Sequence, residues 1–346
     1  MKMQERIGWI DIAKGVGMLL VIAGHTISLH YSYPLYAFHM PLFFFLSGLV
    51  LIDKKESFFV FAFNKAKSIL RPWFIILLIS SLVCLSVPQW RDAITFSRLL
   101  SDLYTANTNV IQNSSLWYLV CFYFVLLLFY PLHRIKINKN VKIFLFFIFA
   151  VALLYIKEAL GFTSLPLHRL PFKIDSALVA LVFFIAGFYS KRMFTFTPPP
   201  PTLTRGNIVL FFIFLLILTV VLSVFNGWSN INSLDFGVIK FLYYPIAFLG
   251  IGTVCLMSSL LSLTPSKIKR FWIFYGQNSL LIFGFQSLFI RLYLLFFNNI
   301  QGLTMQLYGD NPVIHQIGSF VVVTFITSPA IVFIFKAYKK FILSYE

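Results

Sequence analysis

The chain has 346 residues, of which 59% are hydrophobic and only 11% are charged, and its formal net charge is +17. A soluble domain carries about 25% charged residues, so the composition excludes a soluble protein and indicates a polytopic membrane protein. The basic residues recur in alternate segments between apolar runs. The positive-inside rule accounts for that pattern better than nucleic-acid binding does, and no nucleic-acid partner is expected.

Ten apolar segments of membrane-spanning length follow one another along the chain. Their approximate ranges are 7–29, 37–53, 72–89, 115–132, 142–157, 173–190, 206–226, 237–262, 272–297 and 314–336. This pattern predicts an all-α helix bundle with about ten transmembrane helices, forming a single domain over residues 1–346. A connector at 191–205, which contains four consecutive prolines, separates helices 1–6 (roughly 7–190) from helices 7–10 (roughly 206–336).

Loop charge predicts the orientation of the bundle. Of the 28 Lys and Arg residues, 20 fall near the two ends of the chain or in every second loop. Cytoplasmic loops of membrane proteins are enriched in Lys and Arg, so we expect both termini and the basic loops on the cytoplasmic side. The same alternation favours an even number of spans.

Three polar side chains interrupt the first apolar segment: Asp11, Lys14 and His25. On a helix, Lys14 and His25 lie within about 20° of one face and about 16 Å apart along the axis, and Asp11 falls on the same side. A charge in the bilayer core costs roughly 3 kcal/mol unless it is paired or hydrated. We therefore expect this polar stripe to face a protein-lined cavity. The alternatives are an Asp11–Lys14 ion pair near the cytoplasmic boundary and a His25 satisfied by lipid headgroups.

Two motifs near the start of the chain resemble the membrane acyltransferase 3 family, and in particular its sugar O-acetylase-like members. The first is Asp-x-x-(Arg/Lys)-Gly with a His eleven residues after the basic one, here Asp11, Lys14, Gly15 and His25. The second begins Phe-His-x-Pro and ends Ser-Gly, here Phe38, His39, Pro41, Ser47 and Gly48. Shorter segments at 71–72, 115–119 and 275–280 are also similar to the family.

The resemblance implies a multi-pass O-acetyltransferase of the bacterial cytoplasmic membrane. It would move an acetyl group from acetyl-CoA, a co-substrate bound from the cytoplasm, to a hydroxyl of a cell-surface or lipid-linked glycan, with no bound cofactor. Membrane lipid is the expected surrounding, and the oligomeric state stays open, a homo-oligomer included. The acceptor sugar and the acyl chain are not specified by the sequence.

The predicted catalytic residues are His25, which the resemblance implies, together with Asp11 and His39. An imidazole has an unperturbed pKa near 6.5 and suits a general base, so His25 would deprotonate the acceptor hydroxyl or relay the acyl group. Asp11 would orient Lys14. His39 is predicted to open the second helix across an outer loop at 30–36, close enough to share a site with His25. The alternative for His39 is a cap on the helix start before Pro41.

The predicted donor-binding residues are Lys14 and Arg71, both assigned to the phosphates of CoA. Many family members have Arg where this chain has Lys14, so the charge is present without the bidentate fork of a guanidinium. Arg71 is predicted at the cytoplasmic start of the third helix. The alternative for Arg71 is one more basic residue that follows the positive-inside rule.

The predicted acceptor-binding residues are Trp117, Asn278, Gln286 and Arg291. Trp117 would stack on a sugar ring, with an aromatic-belt position as the alternative. Gln286 stands where family members often have a His, and an amide hydrogen-bonds but does not take a proton. Arg291 either lines the cavity or extends outward to the interface.

The sequence lacks the motifs of other common catalytic and metal sites. The sequence has no glycine-rich phosphate loop, no nucleophile elbow and no zinc-ligand spacing. Cys84, Cys121 and Cys255 lie in apolar segments without metal-ligand spacing, so neither a disulfide nor a metal site is expected.

Two rival functions remain open. A transporter of a small polar solute or lipid-linked sugar also suits ten helices with intramembrane charges, although the sequence shows no internal repeat and no pair of Gly/Pro-broken helices. A scaffold with a degenerate site is the other, because of Gln286. Binding of CoA would separate the enzyme from both.

Overall fold

The computed structural model describes residues 8–27, 29–109, 111–155, 159, 161, 170–195, 205–308 and 312–343. The helices are α1 Gly8–Thr26, α2 Leu29–Val50, α3 Phe58–Ser86, α4 Pro88–Arg91, α5 Phe96–Thr105, α6 Trp117–Arg134, α7 Lys139–Leu153, α8 Ile174–Thr195, α9 Arg205–Asn226, α10 Tyr243–Ser262, α11 Ser266–Gln277, α12 Ser279–Tyr308, α13 Pro312–Val322 and α14 Ser328–Leu343. A π-helical segment, Val323–Thr327, joins α13 to α14. Two short strands, β1 Ser229–Asn230 and β2 Asp235–Phe236, pair antiparallel. Single turns of 3₁₀-helix occupy Ser114–Leu116, Pro171–Lys173 and Lys240–Leu242.

The predicted fold class is confirmed. Within the described residues, nine helices are long and apolar enough to cross a membrane, and each overlaps one of nine of the ten predicted spans. The fifth predicted span falls on α7, whose apolar part, Phe144–Leu153, is shorter than the others. The four prolines of the predicted connector lie outside the described residues.

Three predicted helix boundaries are wrong. Helix α2 begins at Leu29 and not at 37, and α3 begins at Phe58 and not at 72. Proline therefore sits inside both helices, which membrane helices tolerate when neighbouring groups satisfy the freed carbonyls. The predicted span 272–297 is instead divided into α11 and α12 at Asn278.

The interruption at Asn278 has a local cause. The Asn278 side chain donates from Nδ2 to the Phe274 carbonyl at 2.7 Å, and the same carbonyl also accepts from the Asn278 backbone amide. The Asn278 carbonyl then accepts from the amides of Leu281 and Ile282, which begins α12.

Helix α1 lies at the centre of the bundle and packs against α2, α10, α11, α12 and α13. Its contact with α11 is close enough to require glycine on both helices. A Cβ atom on Gly15 would overlap the Trp272 carbonyl oxygen, and one on Gly276 would overlap the Asp11 carbonyl oxygen. The end of α11 is thereby held against the turn of α1 that carries Asp11.

Candidate active site

The polar stripe of α1 faces other helices. Asp11 is buried, with 6% of its surface exposed, while Lys14 and His25 are half-buried. The Gln277 side chain donates from Nε2 to Asp11 Oδ2 at 3.3 Å, so the last residue of α11 supports the carboxyl group. The stripe therefore lies inside the bundle, as expected for polar groups that are costly in lipid.

His25 and His39 meet at a tyrosine between them. The Tyr36 hydroxyl lies 3.3 Å from His25 Nδ1, and the two rings are 5.9 Å apart in a T-shaped arrangement. The Tyr36 ring also packs edge-on against His39 at 4.9 Å. The prediction that His39 opens the second helix is wrong, because α2 starts ten residues earlier. The two histidines nevertheless lie near each other, because both contact Tyr36.

A backbone hydrogen bond fixes the protonation pattern of neutral His39. This residue is buried, with 1% of its surface exposed, and its Nδ1–H donates to the Leu35 carbonyl at 2.5 Å. A neutral imidazole bonded in this way carries its lone pair on Nε2. His39 therefore presents an acceptor nitrogen to the interior of the bundle.

An aromatic side chain from a distant part of the sequence covers Tyr36. The Trp228 ring lies 4.6 Å from the Tyr36 ring and 5.7 Å from the Tyr33 ring. Trp228 immediately precedes the β1–β2 hairpin. Asn226 secures this hairpin, since its Nδ2 donates to the Phe236 carbonyl and its Oδ1 accepts from the Ile239 amide. The hairpin thus positions an indole beside the histidine pair.

The predicted donor-binding residues occupy different environments. Lys14 lies within the α1 stripe, one turn after Asp11. Arg71 is exposed in the interior of α3, and the prediction that it marks the start of that helix is wrong. The assignment of both residues to CoA stays a prediction.

The predicted acceptor-binding residues divide into two groups. Asn278 lies at the α11–α12 junction beside Gln277, hence at the Asp11 end of α1. Gln286 and Arg291 lie further along α12, where Arg291 is exposed. Trp117 is 6% exposed and packs edge-on against Tyr118. Their roles stay predictions, but Asn278 is placed apart from the others.

Gln286 is fully buried and donates from Nε2 to Ser115 Oγ at 2.7 Å. Sequence reasoning did not connect Gln286 with Ser115, and it also missed Tyr36, Trp228 and Gln277. Tyr36 had a detectable signal, because residues 36 and 39 are neighbours on any helix that includes both. Trp228 had none, since an interfacial Trp is the ordinary expectation in a membrane protein.

The fold and this site define a polytopic helical membrane protein with a histidine-centred polar site inside the bundle. The family model described as "Acyltransferase domain" (acyltransferase 3) matches residues 7–335. The chain belongs to this family of membrane acyltransferases. Searches of curated proteins and of solved structures find no match to the chain.

Proposed function

We propose that this protein is an O-acetyltransferase of the bacterial cytoplasmic membrane that moves the acetyl group of acetyl-CoA to a glycan hydroxyl. The observation that carries the proposal is the meeting of His25, Tyr36 and His39 at one end of the α1 polar stripe. Family membership supports acyl transfer in general, and the imidazole groups supply the base that a hydroxyl nucleophile requires.

In the proposed reaction, His25 Nε2 takes the proton of the acceptor hydroxyl while the hydroxyl oxygen bonds to the thioester carbonyl carbon. The carbon–sulfur bond then breaks, and the imidazolium returns the proton to the departing CoA thiolate. The products are an acetyl ester and CoA. For Nε2 to act as the base, His25 Nδ1–H must donate to the Tyr36 oxygen, and their 3.3 Å separation permits this bond.

The donor reaches His25 from the opposite end of α1. Lys14 lies about 16 Å along the helix from His25, a length that the pantetheine arm of CoA would span, and the Asp11–Gln277 pair lies about 21 Å from it. Lys14 would bind a phosphate as a point charge, and Arg71 would supply a second charge at the predicted cytoplasmic surface. This arrangement requires a channel along the stripe.

The decisive experiment replaces His25 and, separately, His39 with Ala and measures glycan O-acetylation from labelled acetyl-CoA in membranes with matched protein levels. Loss of transfer in His25→Ala is expected. His133→Ala is the matched control, because His133 is hydrogen-bonded to Asp53 and Tyr189 at the predicted cytoplasmic end of α6. Unchanged acetylation in His25→Ala would refute the mechanism.

One structural feature favours the transporter alternative. The α11–α12 interruption at Asn278 resembles the discontinuous helices that bind substrates in transporters. Two measurements on the purified protein separate the two functions: thermal unfolding with CoA, and release of CoA from acetyl-CoA. The enzyme is stabilised by CoA and releases it from acetyl-CoA, whereas a transporter of sugars does neither.

A further inference from the structure

The segment that leads from α5 to α6 has an unusual backbone. Ala106, Thr108 and Gln112 adopt left-handed conformations, with φ of 52°, 51° and 51°. Such values are uncommon for residues other than glycine, and they cluster where a precise local geometry is required. The segment is predicted to lie at the outer face of the membrane, where Asn109 is exposed.

Asn113 ties this segment to two transmembrane helices. Its buried side chain donates from Nδ2 to Ser80 Oγ on α3 at 2.9 Å and to the Gly284 carbonyl on α12 at 2.7 Å. The Thr108 hydroxyl in turn donates to the backbone carbonyl of Asn113 at 2.7 Å. Because the Gly284 carbonyl can only accept a hydrogen bond, the side-chain amide of Asn113 must point its nitrogen toward Gly284.

Two buried amide oxygens in this region, Asn113 Oδ1 and Gln286 Oε1, have no donor among the described residues, and both side chains are fully buried. Gln286 uses its nitrogen on Ser115, which lies two residues after Asn113. Ser114 and Ser287 add two hydroxyls whose oxygens are 3.2 Å apart. Buried carbonyl oxygens in proteins are nearly always hydrogen-bonded, so unpartnered ones indicate a ligand or ordered water.

We propose that Asn113 and Gln286 form the hydroxyl-binding subsite for the acceptor, with the two carbonyl oxygens accepting from hydroxyls of a neutral sugar unit. Amide oxygens repel phosphate and carboxylate groups, and the neighbouring serines add no charge, so the site selects neutral, hydroxyl-rich ligands. The identification of the ligand as the acceptor rests on the function proposed above.

The first experiment measures thermal unfolding of the full-length protein in detergent with D-glucose, N-acetyl-D-glucosamine or mannitol as probes. Gln286→Met keeps the size of the side chain and removes the carbonyl. Sugars stabilise all variants by exclusion from the protein surface, so the informative quantity is the shift of the wild type minus that of the variant. Specific binding is expected to give a difference of about 2–4 °C for at least one probe.

Two variants test the interpretation. Gln286→Glu retains an oxygen toward the site and another toward Ser115, whose hydroxyl can turn to donate, so it is expected to keep the sugar-dependent shift. Thr253→Val is the matched control for loss of a buried polar group, since Thr253 is paired with Thr219 and with its own helix. It is expected to behave as the wild type.

Equal shifts in wild type and Gln286→Met for every probe would overturn the proposal and assign the two oxygens to ordered water. The second measurement is the rate of acetyl transfer to glycan. In Gln286→Met this rate is expected to fall by about tenfold or more, while the half-saturating acetyl-CoA concentration stays unchanged. If the wild type itself does not turn over acetyl-CoA, the proposed function fails. The sugar-dependent difference would still decide whether the subsite exists.

Discussion

Tyr36 is the side chain that connects the two histidines. Its hydroxyl reaches His25 Nδ1 and its ring packs against His39, while Trp228 covers its other side. In the proposed mechanism Tyr36 acts through His25, because it holds the ring and selects the nitrogen that would face the substrate. We therefore regard Tyr36 as a positioning residue.

Tyr36→Phe keeps the ring contacts and removes the partner of His25 Nδ1. The acetyl-transfer rate is expected to fall by about tenfold to a hundredfold, as for loss of a hydrogen bond to a group that becomes charged. Stabilisation by CoA should be unchanged. Steady-state kinetics over a pH series would check this, and a purely structural role would instead leave the pH profile as in the wild type.

Lys14 and His25 should separate donor binding from chemistry. Lys14→Ala is expected to lose most of the thermal stabilisation that CoA gives, because it removes the proposed phosphate contact. His25→Ala should keep that stabilisation and lose turnover. Paired thermal-shift and turnover assays measure both effects, and equal CoA stabilisation in Lys14→Ala and wild type would remove Lys14 from the donor site.

The spacing of residues along one helix predicted the polar stripe, whereas the contacts between distant segments could not be predicted from the sequence. The stripe of Asp11, Lys14 and His25 follows from helical periodicity alone, and the structure places it among other helices. Gln277 and Trp228 reach the site through tertiary packing, which no local pattern records. Asn113 was hidden for the same reason, because its partners lie on α3 and α12.

At the scale of helices, the α1–α11 contact controls the position of the Asp11 turn. Gly15→Ala or Gly276→Ala would place a methyl group onto backbone atoms of the partner helix, which has no room to move aside. We expect a cost of about 3 kcal/mol or more. Thermal unfolding of the purified variants measures it.

Gly252→Ala is the control for these glycine variants. A Cβ atom at Gly252 in α10 meets no atom within 4 Å, and alanine favours the helix by up to about 1 kcal/mol. The control should be as stable as the wild type or slightly more stable. Gly15→Ala with equal stability would show that the two helices are further apart than described.

Hydropathy located the membrane spans well and the helix ends poorly. Helix α3 begins at Phe58, and its first part carries Lys65 and Lys67 before the strongly apolar part begins. Hydropathy therefore placed the start of this helix too late. The α11–α12 interruption and the π-helical segment lie close together, since the Tyr275 hydroxyl donates to the Thr324 carbonyl. Both irregularities depend on packing between helices, which a hydropathy profile does not detect.

At the scale of the whole molecule, loop charge predicts which face is cytoplasmic. Val238, which is 81% exposed after the β1–β2 hairpin, is predicted to lie outside, and the exposed Lys55 inside. The three native cysteines are buried and should not react. In intact cells a membrane-impermeant maleimide is expected to label Val238→Cys at once and Lys55→Cys only after permeabilisation. The reverse pattern would invert the bundle.

The short α1–α2 connection has a consequence for biogenesis. Both histidines and Asp11 lie in the α1–α2 hairpin, whereas Gln277, which donates to Asp11, is synthesised 266 residues after Asp11. Until α11 is inserted, the Asp11 carboxyl lacks the Gln277 amide that donates to it. The polar turn of α1 therefore reaches its final environment only after most of the bundle has been synthesised.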